Sequence, residues 1–219
     1  MFTRKKSYYH IDEKPKTRVK KPHKFLFMFL ALSLMSAGVY LFFLVQSPEI
    51  LADQSNSDQI ESSLVENNEN FIKIERINLL VPFHEGDSEL TLESGAWHRF
   101  PERGDPEKGG NFILSAHRFQ LGITPNDTKD RSPFYHIDKL QEDDVIDIFY
   151  NNSWYKYKIS KSYSVEPDAV EIEEPSDEAK LTLYSCSLAG SADGRVVIEA
   201  SPILSTGEIN ENGGGAVLL

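Results

Sequence analysis

One stretch of the chain is apolar without interruption. Phe25–Val45 (FLFMFLALSLMSAGVYLFFLV) runs for 21 positions without a charge. A helix of that length spans roughly 30 Å, the thickness of a bilayer's hydrocarbon layer. It offers no polar face to water, so it does not read as the surface helix of a soluble core. A cleaved signal peptide would have a shorter apolar region, about 7–15 residues, ending in a small-x-small site. Ser33, Ser36, Ala37 and Gly38 offer such residues, but apolar positions continue for seven residues beyond Gly38. The pattern predicts an uncleaved transmembrane helix over 25–45.

Beyond it the texture changes twice. Residues 46–70 (QSPEILADQSNSDQIESSLVENNEN) are rich in Ser, Asn, Gln and acid, and read as a polar, solvated stalk with room for a short helical stretch. From Phe71 onward, short apolar runs are split by turn residues. FIKIERINLLVPF predicts one or two strands, and NFILSA (111–116), DVIDIFY (144–150), LTLYSCS (181–187) and RVVIEAS (195–201) one each. YKYKIS (155–160) places Tyr155, Tyr157 and Ile159 on one face and Lys156 and Lys158 on the other. With Asn151-Asn152 between them, 144–150 and 155–160 form a predicted hairpin. Short helices are expected at 87–93 and 132–140. Many short strands with few helices indicate a mainly β domain, a closed barrel or a sandwich. No repeat is present, and the end reads as a flexible tail.

Composition supports a real core: 219 residues are 40% hydrophobic and 11% aromatic. The formal net charge is -11, which argues against nucleic-acid binding by bulk electrostatics. No Gly-rich phosphate loop supports nucleotide use. The charge is unevenly spread. Residues 1–24 carry nine Lys/Arg against Asp12 and Glu13, and the remainder carries -18. By the positive-inside bias the basic flank stays in the cytoplasm and the rest of the chain lies outside. The expected organisation is a basic cytoplasmic tail (1–24), one plasma-membrane span (25–45), an extracellular stalk (46–70), a globular domain (71–207) and a tail (208–219).

The chain has one cysteine, Cys186, which excludes a disulfide framework and a Cys-based zinc site. A free thiol outside the cell is an oxidation liability, so it is either buried and inert or employed. Alternation in LTLYSCS turns Leu181 and Leu183 one way and Thr182, Tyr184 and Cys186 the other, with Cys186 at the strand's end beside the small polar loop 187–194. A cysteine nucleophile needs thiolate stabilisation and a proton donor for the leaving group. His117, at the end of NFILSA, is the candidate. His10 and His23 lie on the cytoplasmic side, His84 and His136 read as structural, and His98 in GAWHRFP is intermediate. Attack on a carbonyl also needs oxyanion stabilisation. Arg195 opens the strand after the cysteine loop, and antiparallel pairing of the two strands would bring it to the same end as Cys186. Arg118, adjacent to His117, should project away from the imidazole by alternation.

These residues, in this order, resemble a sortase. That family of membrane-anchored cysteine transpeptidases has a strand ending in glycine-histidine, then a TLxTC strand, then an arginine at the start of the last strand. The counterparts here are LSAHR (114–118), TLYSC (182–186) and Arg195. LESGAWHRFPERGDPEKGGN resembles the segment before the family's histidine, and SPFYHIDKLQEDDVI its short helix and Gly-Asp turn, with Glu142-Asp143 in the turn. The resemblance covers about 71–203. Ser115-Ala116 stand where Ala-Gly is usual, and Ser185 where Thr is common.

The resemblance implies a closed eight-stranded sortase-type β-barrel and acyl transfer. Cys186 would attack the carbonyl after Thr in an LPxTG-like sorting signal of a surface protein. His117 would protonate the leaving amine and deprotonate the incoming one, an amine acceptor of the cell wall or a pilin. Arg195 would hold substrate or oxyanion. Thr182 and Ser185 would help shape the site, with His98 as a further substrate-binding candidate. Pilin-polymerising members often carry an Asp-Pro-aromatic lid motif in the stalk and a second membrane helix. Residues 46–70 have no such motif and 203–219 is too short and polar to span, so a housekeeping or class D/E-like anchoring role is expected. No cofactor is implied. Some members bind Ca²⁺ through loop carboxylates, and Glu142, Asp143, Asp144, Glu171, Glu173, Glu174, Asp177 and Glu178 are available; a solvated acidic face is the alternative. Two other functions stay open: an anchored cysteine hydrolase on the same barrel, and a non-catalytic surface β-domain with an inert Cys186.

Overall fold

The computed structural model describes residues 24–51, 57–86 and 89–203; the rest of the basic tail and the tail 208–219 lie outside the described residues. The chain divides into a unit ending at Val39 and a unit starting at Tyr40. Helix α1 (Lys24–Ile50) contains the apolar run and continues past it through Pro48. Its residues from Lys24 to Val39 are exposed throughout. In the second unit Leu44, Ser47 and Pro48 are buried at helical spacing on one face.

The segment 46–70 is not a solvated stalk throughout. Besides the end of α1 it holds α2 (Ser57–Glu66), whose Leu64 is buried against Phe71 and Phe149. One leucine among polar neighbours is a weak periodic signal, yet burying it stabilises the docked helix by about 1.5–3 kcal/mol.

Nine strands follow: β1 (Phe71–Ile74), β2 (Leu79–Glu85), β3 (Ala96–Arg99), β4 (Gly104–Asp105), β5 (Gly109–Ser115), β6 (Val145–Tyr150), β7 (Ser153–Val165), β8 (Lys180–Ser187) and β9 (Gly190–Pro202). They form one sheet in the order β3-β2-β1-β6-β7-β9-β8-β5-β4, and β3 also pairs with β5. That pairing closes eight strands into a barrel, with the two-residue β4 as an appendage of β5. Only β2–β3 and β5–β8 are parallel. Alternation sorts the faces. Ile72, Phe83, Phe112, Leu114, Ile148, Tyr157, Leu181, Leu183 and Ile198 fill the interior.

The hairpin between β6 and β7 turns on two residues, with Tyr150 opposite Ser153. Asn151 (φ 48°) and Asn152 (φ 64°) both take positive φ, the requirement of the turn that matches strand twist. The expected helix over 132–140 is a single 3₁₀ turn, Ile137–Lys139, and the one near 87–93 is the 3₁₀ helix Glu89–Ser94. A short helix that the sequence pattern does not predict, α3 (Pro125–Asp130), starts at Thr124, whose hydroxyl accepts the Asp127 amide. Strand β3 is likewise absent from the pattern. Its AWHR has no apolar alternation, and its place is set by partners on both sides.

His98 on β3 is a correction to the substrate-binding expectation. It is fully buried in the barrel, edge-on to Phe83 and Phe112, with Nε2 3.1 Å from the Gly104 carbonyl oxygen and Nδ1 3.4 Å from Glu85 Oε1. Burial pulls its pKa below the ordinary histidine value, despite the opposing hydrogen bond to Gly104 and the charge of Glu85. The unfolded chain therefore takes up the proton first. The stability this contributes is present above about pH 6.5 and is lost as pH falls below it. Thermal melts at pH 7.5 and 5.5 should show a larger drop for the wild type than for His98→Asn; equal drops would assign the acid sensitivity elsewhere.

Candidate active site

The ends of β5, β8 and β9 build the site. Ser115 pairs with Tyr184 in the parallel β5–β8 ladder, and the Ala116 amide donates to the Tyr184 carbonyl at 3.4 Å. Two residues beyond the members of that pair come His117, just past the end of β5, and Cys186 on β8. Cys186 in turn pairs with Arg195 across the antiparallel β8–β9 ladder. Directly opposed residues have Cβ atoms about 4.5–5.5 Å apart. Cys186 and Arg195 thus face each other across the ladder, and His117 follows the end of the strand that pairs with β8 on its other side; all three residues are half-buried.

Alternation turns Cys186 and Arg195 to the outer face, because Leu181 and Leu183 fill the interior. The outer face has its own apolar floor of Ile113, Tyr184 and Val197, capped by Ile172 from the 3₁₀ turn Glu171–Glu173. Arg195 lies over the Tyr184 ring, its Cζ 5.4 Å from the centroid. The loop after Cys186 is tighter than the expected eight residues. Ser187 pairs with Gly190, so Leu188-Ala189 make the turn and residues 191–194 bulge out before the ladder resumes at Cys186–Arg195. Gly194 permits this: its φ is 134°, and a Cβ there would sit 2.6 Å from the Val165 carbonyl oxygen. The bulge sets where Arg195 re-enters the sheet.

The floor is held by residues that no sequence motif singles out. Arg99 Nη1 donates to the Tyr184 hydroxyl at 2.6 Å and lies 3.1 Å from Glu173 Oε1, and the Tyr184 hydroxyl donates to the same carboxylate oxygen. Burial and the Glu173 carboxylate push the Tyr184 pKa well above the ordinary phenol value, so it stays a neutral donor. Tyr184 is traceable from its period-two position before Cys186. Nothing local distinguishes Glu173 from its acidic neighbours.

This barrel matches a known family. A model of the sortase domain matches residues 72–203, well over half of the chain. The chain belongs to the sortase family. No relative among curated proteins matches. Among solved structures, sortase D5 of Clostridium perfringens is 23% identical with a TM-score of 0.52, over 76% of this chain and 99% of its own. Sortase A of Listeria monocytogenes is 17% identical, TM-score 0.52, over 61% and 86%. A C. perfringens sortase C is 25% identical, TM-score 0.51, over 61% and 69%. Membership makes transpeptidation the general activity of the fold.

The remaining candidates of this sortase fall into place around the three. Thr182 is fully buried; its hydroxyl donates to Asn111 Oδ1 at 2.7 Å, and Asn111 Nδ2 donates to the carbonyls of Ile172 (3.1 Å) and Glu174 (2.8 Å). Thr182 therefore acts through Asn111, tying down the turn that caps the floor. Ser185 alternates to the interior side, buried, with its hydroxyl on the Cys186 carbonyl. Arg118 is buried with Nε on the Tyr135 carbonyl at 2.8 Å and Nη2 2.7 Å from Asp138 Oδ1, bound to the segment after His117 rather than to the cysteine face. The same segment anchors the histidine's backbone, the Phe134 amide donating to the His117 carbonyl at 3.1 Å. Glu173, considered as a Ca²⁺ ligand or solvated acid, is neither exposed nor free: it is buried and paired with Arg99. Among the described residues no three His, Cys, Asp or Glu side chains converge in a way that could hold a metal ion.

Proposed function

We propose that this sortase is a membrane-anchored cysteine transpeptidase that joins surface proteins bearing an LPxTG-like signal to an amine of the cell envelope. The reading rests on one observation, the cross-strand pairing of Cys186 with Arg195 beside β5, the strand that leads into His117. Cys186 Sγ attacks the carbonyl carbon after the signal's Thr, the peptide C–N bond breaks, and His117 gives its proton to the departing amine. A thioester to Cys186 remains. The incoming amine then attacks it, His117 takes the amine's proton, and the thiolate leaves. Arg195 donates to the carbonyl oxygen as it gains charge. The likeness to a sortase C solved with the C-terminal cell wall sorting motif supports a sorting signal as substrate.

Helix α1 would anchor the enzyme, with the basic flank in the cytoplasm and the barrel outside. The absence of an Asp-Pro-aromatic motif in 46–70 favours a class D/E-like anchoring role over pilin polymerisation.

The full-length protein in detergent, given a library of signal-like peptides and an amine acceptor, should yield ligated products readable by mass. Hydrolysed peptide alone would indicate a hydrolase. No cleavage, with a Cys186 that resists alkylation, would indicate a binding domain. Protease added to intact spheroplasts should digest the barrel; a protected barrel would reverse the orientation.

A further inference from the structure

Among the exposed apolar side chains of the barrel unit, two lie two residues apart beside helix α1. Leu121 is 52% and Ile123 83% exposed, at the tip of the loop between His117 and α3. Exposed apolar residues taken singly need no explanation, but the position of this tip does. The Tyr40 hydroxyl donates to the Ile123 carbonyl at 2.5 Å. Tyr40 lies inside the apolar run of α1, five residues before its end at Val45. At 1.5 Å per residue the tip is held about 7.5 Å below that end. At this level the free side of α1 presents Leu41, Phe42, Phe43 and Val45, all exposed. Higher on the same helix the contact changes character. Glu49 pairs with Lys139 at 3.1 Å. The stretch from Ile123 to Lys139 therefore runs alongside α1 from its apolar part to its charged end.

Three backbone groups of the tip are satisfied within the protein. In lipid an unpaired N–H or C=O costs several kcal/mol. The Gly122 amide donates to Thr128 Oγ1 at 3.0 Å, the Ile123 amide to Asp127 Oδ2 at 2.7 Å, and the Ile123 carbonyl accepts from Tyr40. Asp127 is itself paired with Arg131 at 2.9 Å. Apolar side chains thus point outward while these polar groups are satisfied from within.

We propose that the Leu121–Ile123 tip is a second membrane contact, dipping into the outer leaflet beside α1. It rests on the reading that 25–45 crosses the bilayer. The loop it belongs to starts at His117, so the contact sets the height of the active site above the lipid. One helix leaves a domain free to rotate about its tether, whereas a second apolar contact, bound through buried apolar area, fixes its face.

The test uses full-length protein, carrying Cys186→Ala, in phosphatidylcholine–phosphatidylglycerol vesicles. Single cysteines introduced as Phe43→Cys, Ile123→Cys, Leu121→Cys or Asn152→Cys carry an environment-sensitive fluorophore. Asn152 lies in the turn after β6, beyond the strand end remote from the Ile137–Lys139 turn. Lipids with a nitroxide shallow in the acyl chain supply the quencher. Labels at 123 and 121 should be quenched as strongly as the label at 43, and the label at 152 should not. Quenching at 43 without 121 or 123 overturns the proposal and leaves the anchor intact. No quenching at 43 removes the anchor itself. A blue-shifted label at 123 that lipid nitroxides do not reach would mean a protein covers the tip, and would also overturn it.

Discussion

Cys186→Ala should form no detectable ligated product while the barrel keeps its melting temperature within a few degrees. The chain contains one cysteine, so no second thiol can form a thioester. The neighbouring hydroxyls cannot stand in. Ser185 is buried on the opposite side of β8, bonded to the Cys186 carbonyl. Ser187 is engaged with Asp193 at 2.7 Å and the Gly190 carbonyl at 3.3 Å. Each would also need a base to make an alkoxide, whereas a thiol yields its proton far more readily. The thiol is half-exposed and outside all three apolar clusters, so its loss should cost about 0.5 kcal/mol of stability or less. Thermal melting and mass analysis on the same preparation check both halves. Ligation retained near the wild-type level would remove the cysteine from the mechanism.

Arg195→Ala should lower kcat/KM by about 10²–10³, the usual loss for one oxyanion donor. The guanidinium faces Cys186 across the ladder and leans over Tyr184, which Glu173 and Arg99 hold in place. Its planar fork can serve a peptide carbonyl and an oxyanion together; a lysine supplies a point charge without that geometry, so Arg195→Lys should recover only part of the rate. Arg118 is the internal control. Bound to Tyr135 and Asp138, it should affect folding more than chemistry. For Arg118→Ala, kcat/KM per folded molecule should fall within about tenfold, or 1.4 kcal/mol of barrier, while the melting temperature drops. Kinetics normalised to active-site titration separate the two effects. The reverse ranking of the two alanine variants would move the oxyanion role to Arg118.

The parts of the site that the sequence makes visible are those set by near neighbours in the chain. Period-two alternation is a property of the strand itself, so LTLYSCS already turns Leu181 and Leu183 away from Cys186. β8 and β9 are consecutive, and consecutive antiparallel strands joined by a short loop must return to the same end. Hence chain order alone brings Arg195 to Cys186, although it does not reveal the bulge at 191–194 that sets the register. The Asn151-Asn152 turn is legible because residues that tolerate positive φ there are few.

The rest depends on residues far apart in sequence. The strand leading into His117 lies beside the strand of Cys186 only because β5 runs parallel to β8, and parallel neighbours are joined by long crossovers whose partner no local pattern names. β3 has no alternation of its own; pairing with both β2 and β5 makes it a strand and turns His98 into the barrel, so a histidine in GAWHRFP that reads as a candidate ligand-binder becomes a core residue. Glu173 sits in EIEEP, a run that reads as solvated, until Arg99 from β3 and Tyr184 from β8 reach it and supply the partners a buried carboxylate needs. Residues 46–70 read as a stalk because their one useful leucine, Leu64, needs Phe71 and Phe149 already assembled to bury against. Composition and periodicity thus determined one apolar run long enough to cross a bilayer, the β class and which strand faces carry the candidate residues, because each follows from the local chain. Which strand lies beside the cysteine strand, which histidine and which acid are buried, and where the loop tip stands beside α1 were decided by tertiary pairing alone, because desolvation and contact energies exist only once distant segments are packed together.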